Sequence, residues 1–323
     1  MPKSRITIVG LGLVGGSMGL ALKKANLDLE IIGHDKDPGV SARAQTRGAV
    51  AATKWNLLDA CDGAGLIVLA LPLDAIKDTL AALKPHLAAG TIITDTATTK
   101  APVLEWAKDL PAGAQFIGGN PIFKPVRDPT ARGIDGANAD LFKDATYCLV
   151  ASTSASAATI DTLSNFAVLL GAKPYFIEAA EHDGLMAGVQ HLPALLATTF
   201  AVATMQSQGW RELGKLAGAD FRAATELAPT DDKTAREQFL AHRDDLVRWI
   251  DVISEKLSAM RALIANEDAA ALEATVKSIT AERDKWLGGG LDTTEPKANW
   301  DETKLSMSRL FLGGLADAGK KRK

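Results

Sequence analysis

The chain has 323 residues, 47% of them hydrophobic, with 36 lysines and arginines against 39 acids and a formal net charge of −3. That length accommodates about two domains with ample core, and the near-neutral balance excludes an electrostatic case for nucleic acid or an acidic membrane as partner. No apolar run approaches the ~18 residues of a bilayer span, the first residues enter a strand without a signal-peptide layout, and the two distant cysteines, Cys61 and Cys148, read as buried thiols of a cytoplasmic protein, with neither a disulfide nor a metal site.

The first element is the β-branched run Ile6-Thr7-Ile8-Val9, followed at once by Gly10-Leu11-Gly12-Leu13-Val14-Gly15 and a helix through Met18 to Lys24. This is the order a dinucleotide pyrophosphate needs. Gly10 turns the chain out of the strand, Gly12 with Leu13 and Val14 brings bare backbone to the phosphates, and Gly15 lets the helix pack on the strand. The helix N-terminus then offers N–H groups to the anion. The second strand, 29–37, carries Asp35, 20 residues beyond Gly15. A carboxylate there accepts from the ribose hydroxyls and repels a 2′-phosphate, so the cofactor expected is NAD.

A helix over 40–47 and a short strand at 49–51 follow, and Asn56 is placed to cap 57–61. Residues 65–72 are a continuous apolar run, as in a strand covered on both faces. Leu71 and Pro72 close it at the edge where nucleotide ligands lie. A helix over 73–84, a strand at 91–95, a helix over 100–110 and a strand at 115–118 continue the alternation, which predicts an α/β, Rossmann-like, doubly wound and mostly parallel sheet. Between Pro121 and Lys143 the pattern breaks into Pro, Gly, Asp and Arg, a long loop read as functional or mobile; Lys124, Arg127 and Arg132 are its cations. Strands at 146–150 and 174–177 flank a helix over 155–171.

From Ala179 onward helix signals dominate. Thr230-Asp231-Asp232 cap one long helix running to about Asn266, with Leu246, Ile250, Ile253, Leu257, Met260 and Ile264 stepping by 4, 3, 4, 3 and 4. That seam must bury against a neighbouring helix or a second copy of the chain; a homodimer through this all-α domain is the expectation. A helix over 268–287, a Gly288-Gly289-Gly290 break and an amphipathic stretch at 305–315 complete the chain. The domains expected are 1–178 (NAD binding), 179–290 (helical, dimerisation and substrate) and a tail, 291–323.

Five blocks in fixed order resemble the prephenate/arogenate (cyclohexadienyl) dehydrogenases. They are 10–17; Asp95-Thr96-Ala97-Thr98-Thr99-Lys100; Gly118-Gly119-Asn120-Pro121-Ile122; His182-Asp183 with His191-Leu192-Pro193; and Phe221-Arg222 with Thr225. The resemblance implies an NAD(P) domain joined to a helical dimerisation domain, a carboxylate substrate, and oxidative decarboxylation of a cyclohexadienyl ring in tyrosine biosynthesis. Within the pattern, Asn120 stands where the family has its catalytic histidine, and asparagine has no usable pKa. Thr98 keeps a hydroxyl in place of serine; Gln190 and Ala194 flank the retained His191; Glu226 stands where an arginine is expected. The resemblance therefore nominates His191, Asn120 and Thr98 as catalytic, and Arg222, Arg127 and Gln190 as substrate-binding. An altered substrate or a non-catalytic NAD-binding module is the alternative. His182 and His191 are nine positions apart and face opposite ways on an unbroken helix, so both reach one site only if Gly188 or Pro193 bends it. His182 with Asp183 reads as a helix cap or interdomain hydrogen bond, and His242 as structural or solvated.

Overall fold

The computed structural model describes residues 4–123, 132–153 and 155–288. Its sheet is built from β1 (Ser4–Val9), β2 (Leu29–His34), β3 (Ala52–Thr53), β4 (Leu66–Leu69), β5 (Ile92–Asp95), β6 (Gln115–Ile122), β7 (Thr146–Ala151) and β8 (Lys173–Phe176), in the order β3-β2-β1-β4-β5-β6-β7-β8. All pairings are parallel except β6 with β7. The expected mostly parallel sheet is therefore present. The predicted strand ending at Gly118 runs on to Ile122, because its last residues pair with β7: Asn120 lies opposite Cys148 and Pro121 opposite Tyr147.

The helices α1 (Leu13–Lys24), α2 (Pro38–Thr46), α3 (Leu57–Cys61), α4 (Leu73–Leu83), α5 (Ala101–Ala107) and α6 (Ala157–Leu169) connect the strands. Two apolar cores form on the two faces of the sheet. One centres on Ile6, Ile8, Met18, Leu22, Leu163 and Phe166, the other on Ile67, Leu69, Ile76, Leu80, Ile93 and Val103. Local chemistry agrees with the elements: Asn56 caps α3 through bonds from the N–H groups of Leu58 and Asp59, and Asp37 and Ser156 do the same for α2 and α6. The loop expected across 121–143 is only partly irregular. Ile134 and Ala137 are buried against Gly16 of α1, and Leu141 and Phe142 join the same core. Lys124 and Arg127 lie outside the described residues.

The chain divides into two compact units. Among the described residues, the first runs through Met186 and also takes Ala228–His242; the second comprises Ala187–Leu227 and 243–288. Helices α7 (Ala179–Met186) and α11 (Asp232–Ala241) thus pack with the sheet, α11 through an ion pair of Lys233 with Asp74 at the start of α4. The second unit holds α8 (Leu192–Met205), α9 (Trp210–Leu216), α10 (Ala219–Thr225), α12 (Arg243–Ala265) and α13 (Ala269–Leu287). Within it Phe221 stacks between Phe200 and Trp210, with ring centroids 5.3 and 5.4 Å away.

Two expectations need correction. The long helix beginning at Asp232 is two, broken at His242, whose backbone leaves the helical region. And Ala179–Met205 is a continuous helical run of 27 residues, long and apolar enough by length and composition to cross a bilayer, a property that Gln190, His191 and its scattered threonines hid from a search for unbroken apolar runs. Its first two turns bury His182 and Asp183 in hydrogen bonds with the sheet unit, as a helix packed on a protein core does.

Candidate active site

The carboxyl edge of β1, β2 and β4 forms a cradle. Gly10 has φ +90°, and a Cβ there would sit 2.2 Å from the Ala70 carbonyl oxygen; at Gly15 it would lie 1.9 Å from that of Gly10. Both positions admit only glycine. Gly12 differs: a Cβ there meets nothing within 4 Å, so its outer face is open. Gly12 is also the residue before α1, and no side chain caps that helix, which leaves the N–H groups of the first turn, Leu13 and Val14 among them, for an anion. Asp35 is held beside this loop: its Oδ2 accepts from the Leu11 N–H at 2.8 Å and its Oδ1 from that of Asp37 at 2.9 Å. Leu71 lies against Gly10, and Pro72 opens α4. Open backbone, an uncapped helix start and a fixed carboxylate fit a dinucleotide.

Next along the edge, the 95–100 block folds into a buried knot. Asp95 and Lys100 are both fully buried and paired. Lys100 Nζ also donates to the Gly119 carbonyl at 2.7 Å, while Asp95 accepts from the N–H groups of Gly119 (3.1 Å) and Ala97 (2.9 Å). Burial pulls the Lys100 ammonium below its ordinary pKa, and Asp95 opposes that pull. The pair therefore clamps the end of β6 just before Asn120.

Asn120 is buried and faces α7. Its Nδ2 donates to His182 Nε2 at 3.0 Å and to Met186 Sδ at 3.4 Å. His182 Nδ1 bonds Asp183 Oδ1 at 2.8 Å, and the Asp183 carboxylate also accepts from the N–H groups of Lys100 (2.7 Å) and Ala101 (2.8 Å) at the start of α5. Burial works to raise the Asp183 carboxyl, but the hydrogen bonds from His182, Ala101 and Lys100 outweigh it and hold the group below its usual value. Asp183 thus caps α5, in line with the sequence expectation of a cap. Thr99 in the same block bonds His242 Nε2 at 2.8 Å, both side chains buried; His242 is structural and not solvated.

The structure brings Gly10, Gly12, Leu13, Val14, Gly15, Asp35, Leu71, Pro72, Thr98 and Asn120 to one edge of the sheet unit. His191 and Gln190 lie in a single π-turn, Ala187–His191, of the helical unit, His191 buried and Gln190 exposed; Arg222 is exposed on α10. The side chain bonded to Asn120 is therefore His182, which sequence reasoning ranked behind His191. Asp95 and Lys100 were visible as opposite charges bounding an otherwise uncharged turn between strand and helix, a signal for a buried pair. Nothing local marked His242, since its partner is 143 residues away.

Comparisons with known proteins agree over most of the chain. A model of the prephenate dehydrogenase nucleotide-binding domain matches residues 18–176, and one of the prephenate dehydrogenase dimerization domain matches 178–278. The prephenate dehydrogenase of Lactococcus lactis subsp. cremoris is 31% identical over 273 residues, 83% of this chain and 73% of that one. Among solved structures, Synechocystis arogenate dehydrogenase aligns with TM-score 0.71 at 27% identity, covering 87% of this chain and 99% of that one. The A. aeolicus prephenate dehydrogenase in complex with hydroxyphenyl propionate and NAD+ shares the fold, with TM-score 0.79 at 20% identity over 88% and 99% of the two chains.

Proposed function

Because the chain belongs to the prephenate dehydrogenase family, we propose that it carries out the NAD-dependent oxidative decarboxylation of a cyclohexadienyl carboxylate, prephenate or arogenate. The observation that carries this reading is the match of both family domains, in order, on one chain whose cradle keeps the open glycine and the ribose carboxylate. The enzyme is an oxidoreductase, and the reading places it in the cytoplasm on the route to tyrosine.

When bound, NAD supplies the hydride acceptor. The chain's own residues hold it: the first turn of α1 and Gly12 for the pyrophosphate, Asp35 for the ribose, Leu71 and Pro72 beside it. In the substrate the C4–H bond breaks with its electron pair, the bond from C1 to the ring carboxylate breaks with its pair entering the ring, and carbon dioxide leaves. The 4-hydroxyl keeps its proton throughout. Positive charge develops on that hydroxyl as hydride departs, so the protein must offer it a hydrogen-bond acceptor. No net proton has to be taken up. Asn120 fills that place, with Thr98 and His191 as further polar contacts. Arg222, Arg127 and Gln190 are assigned to the substrate carboxylates. The working domains are 1–178 and 179–290, followed by the tail.

The helical domain is assigned to homodimer formation. Among the described residues, Ile250, Leu257 and Ile264 on α12 and Val276 and Ile279 on α13 are large apolar side chains left exposed. The test of function is direct. Purified protein with NAD and either prephenate or arogenate is expected to produce NADH with at least one of them. Protein that binds NAD but turns over neither substrate would overturn the reading.

A further inference from the structure

The side chain at position 120 has two different ends, and what the site presents depends on which one faces inward. Asp183 accepts from His182 Nδ1 at 2.8 Å, which puts the ring hydrogen on that nitrogen. In the neutral Nδ1–H tautomer Nε2 is a bare lone pair, and it meets Asn120 Nδ2 at 3.0 Å. The second hydrogen of the same amide nitrogen points at Met186 Sδ, 3.4 Å away. A thioether can only accept. Turning the amide over would place its oxygen against two acceptors at once, so the orientation is doubly determined. Asp183 is itself held rigid by the two N–H groups at the start of α5.

We propose that His182, oriented by Asp183 and seconded by Met186, is a positioning residue that locks Asn120 with its nitrogen toward α7 and its carbonyl oxygen, Oδ1, toward the reacting hydroxyl. The inference rests on the dehydrogenase reading above and extends it. It accounts for a family member working with an amide in the place of an imidazole: the reaction needs an acceptor there, and the Asp183–His182 pair turns an ambidextrous side chain into one. His182 acts through Asn120 and does not touch substrate in this scheme.

The test compares two replacements. His182→Gln carries an amide oxygen close to where Nε2 stood and still accepts from Asn120; His182→Leu carries no acceptor. Expected is a fall in kcat of about tenfold for the leucine variant, the worth of one oriented hydrogen bond, with glutamine within about threefold of wild type and KM for NAD unchanged in both. Wild-type kcat in the leucine variant, or an equal fall in the two variants, would overturn the proposal. If the leucine variant does not fold, a neutron crystal structure of the wild-type protein decides. Deuterons on the Asn120 side-chain atom facing His182 support the lock, and a bare oxygen there defeats it. Wild-type protein inactive with prephenate and arogenate alike would instead refute the dehydrogenase reading, while the neutron map still decides the amide.

Discussion

At the scale of single residues, the site is built from polar groups that burial makes expensive and partners make tolerable. Lys100 and Asp95 have no exposed side-chain surface and satisfy one another and the backbone around Gly119. Removing one partner leaves the other charged and buried, so Lys100→Met is expected to lower unfolding free energy by about 3–5 kcal/mol, measured by urea denaturation. Asp183 carries a pH dependence of definite sign. Its folded-state pKa lies below the unfolded value of about 3.9. The native state thus holds that proton more weakly, and the stabilisation is complete above the unfolded pKa and fades as pH falls through the folded one. Asp183→Asn should therefore cost about 2 kcal/mol at pH 7, and the gap to wild type should narrow below pH 4 in denaturation series. The charged types at 95, 100 and 183 were legible from their strand-end and helix-start positions. That Asp183 meets the backbone N–H groups of Lys100 and Ala101 was not, because those partners lie 83 and 82 residues away in the chain.

At the scale of elements, the β1–α1 turn separates folding from binding within one motif. Gly10 and Gly15 face backbone at 2.2 and 1.9 Å, whereas Gly12 faces open space. Gly15→Ala is expected to prevent stable folding. Gly12→Ala should keep the melting temperature within a few degrees yet weaken NAD at least tenfold, because the added methyl occupies the approach to the phosphates. Calorimetric melting and NAD titration on the same samples check both. The turn was readable because its chemistry is local: each glycine answers to atoms within a strand-turn-helix or its immediate sheet neighbour. The break between α11 and α12 was not. Asp231 caps α11 as its sequence suggests, but the helix is interrupted where His242 turns inward to Thr99. Periodicity cannot register a kink imposed by a distant hydroxyl. The π-turn at Ala187–His191 is a similar case. A Cβ on Gly188 would press 2.9 Å from the Trp249 ring, so a tertiary contact selects the glycine there.

At the scale of the whole molecule, the helical unit leaves apolar surface that the described residues do not cover. Leu257 and Ile264 are each more than 60% exposed on α12, and Ile279 equally so on α13. Side chains of that size stay in water only at a cost of about 1.5–3 kcal/mol each. A double substitution, Leu257→Glu with Ile264→Glu, is expected to convert a dimer to monomers in sedimentation velocity. A wild-type chain that sediments as a monomer at micromolar concentration would contradict the dimer.

What the sequence determined by itself was everything with a period or a short range. The alternation of apolar strands and amphipathic helices set the doubly wound sheet, the glycine spacing and Asp35 set the cofactor cradle, and five ordered blocks set the family. What only the tertiary structure decided was which polar groups meet. Asn120 could face any of several histidines as far as spacing shows. It faces His182 because β6 runs on past Gly118 to pair with β7 and because α7 packs with the sheet unit. Hydrogen bonds act over about 3 Å, and no pattern along a chain reports a distance of that size between residues 62 apart.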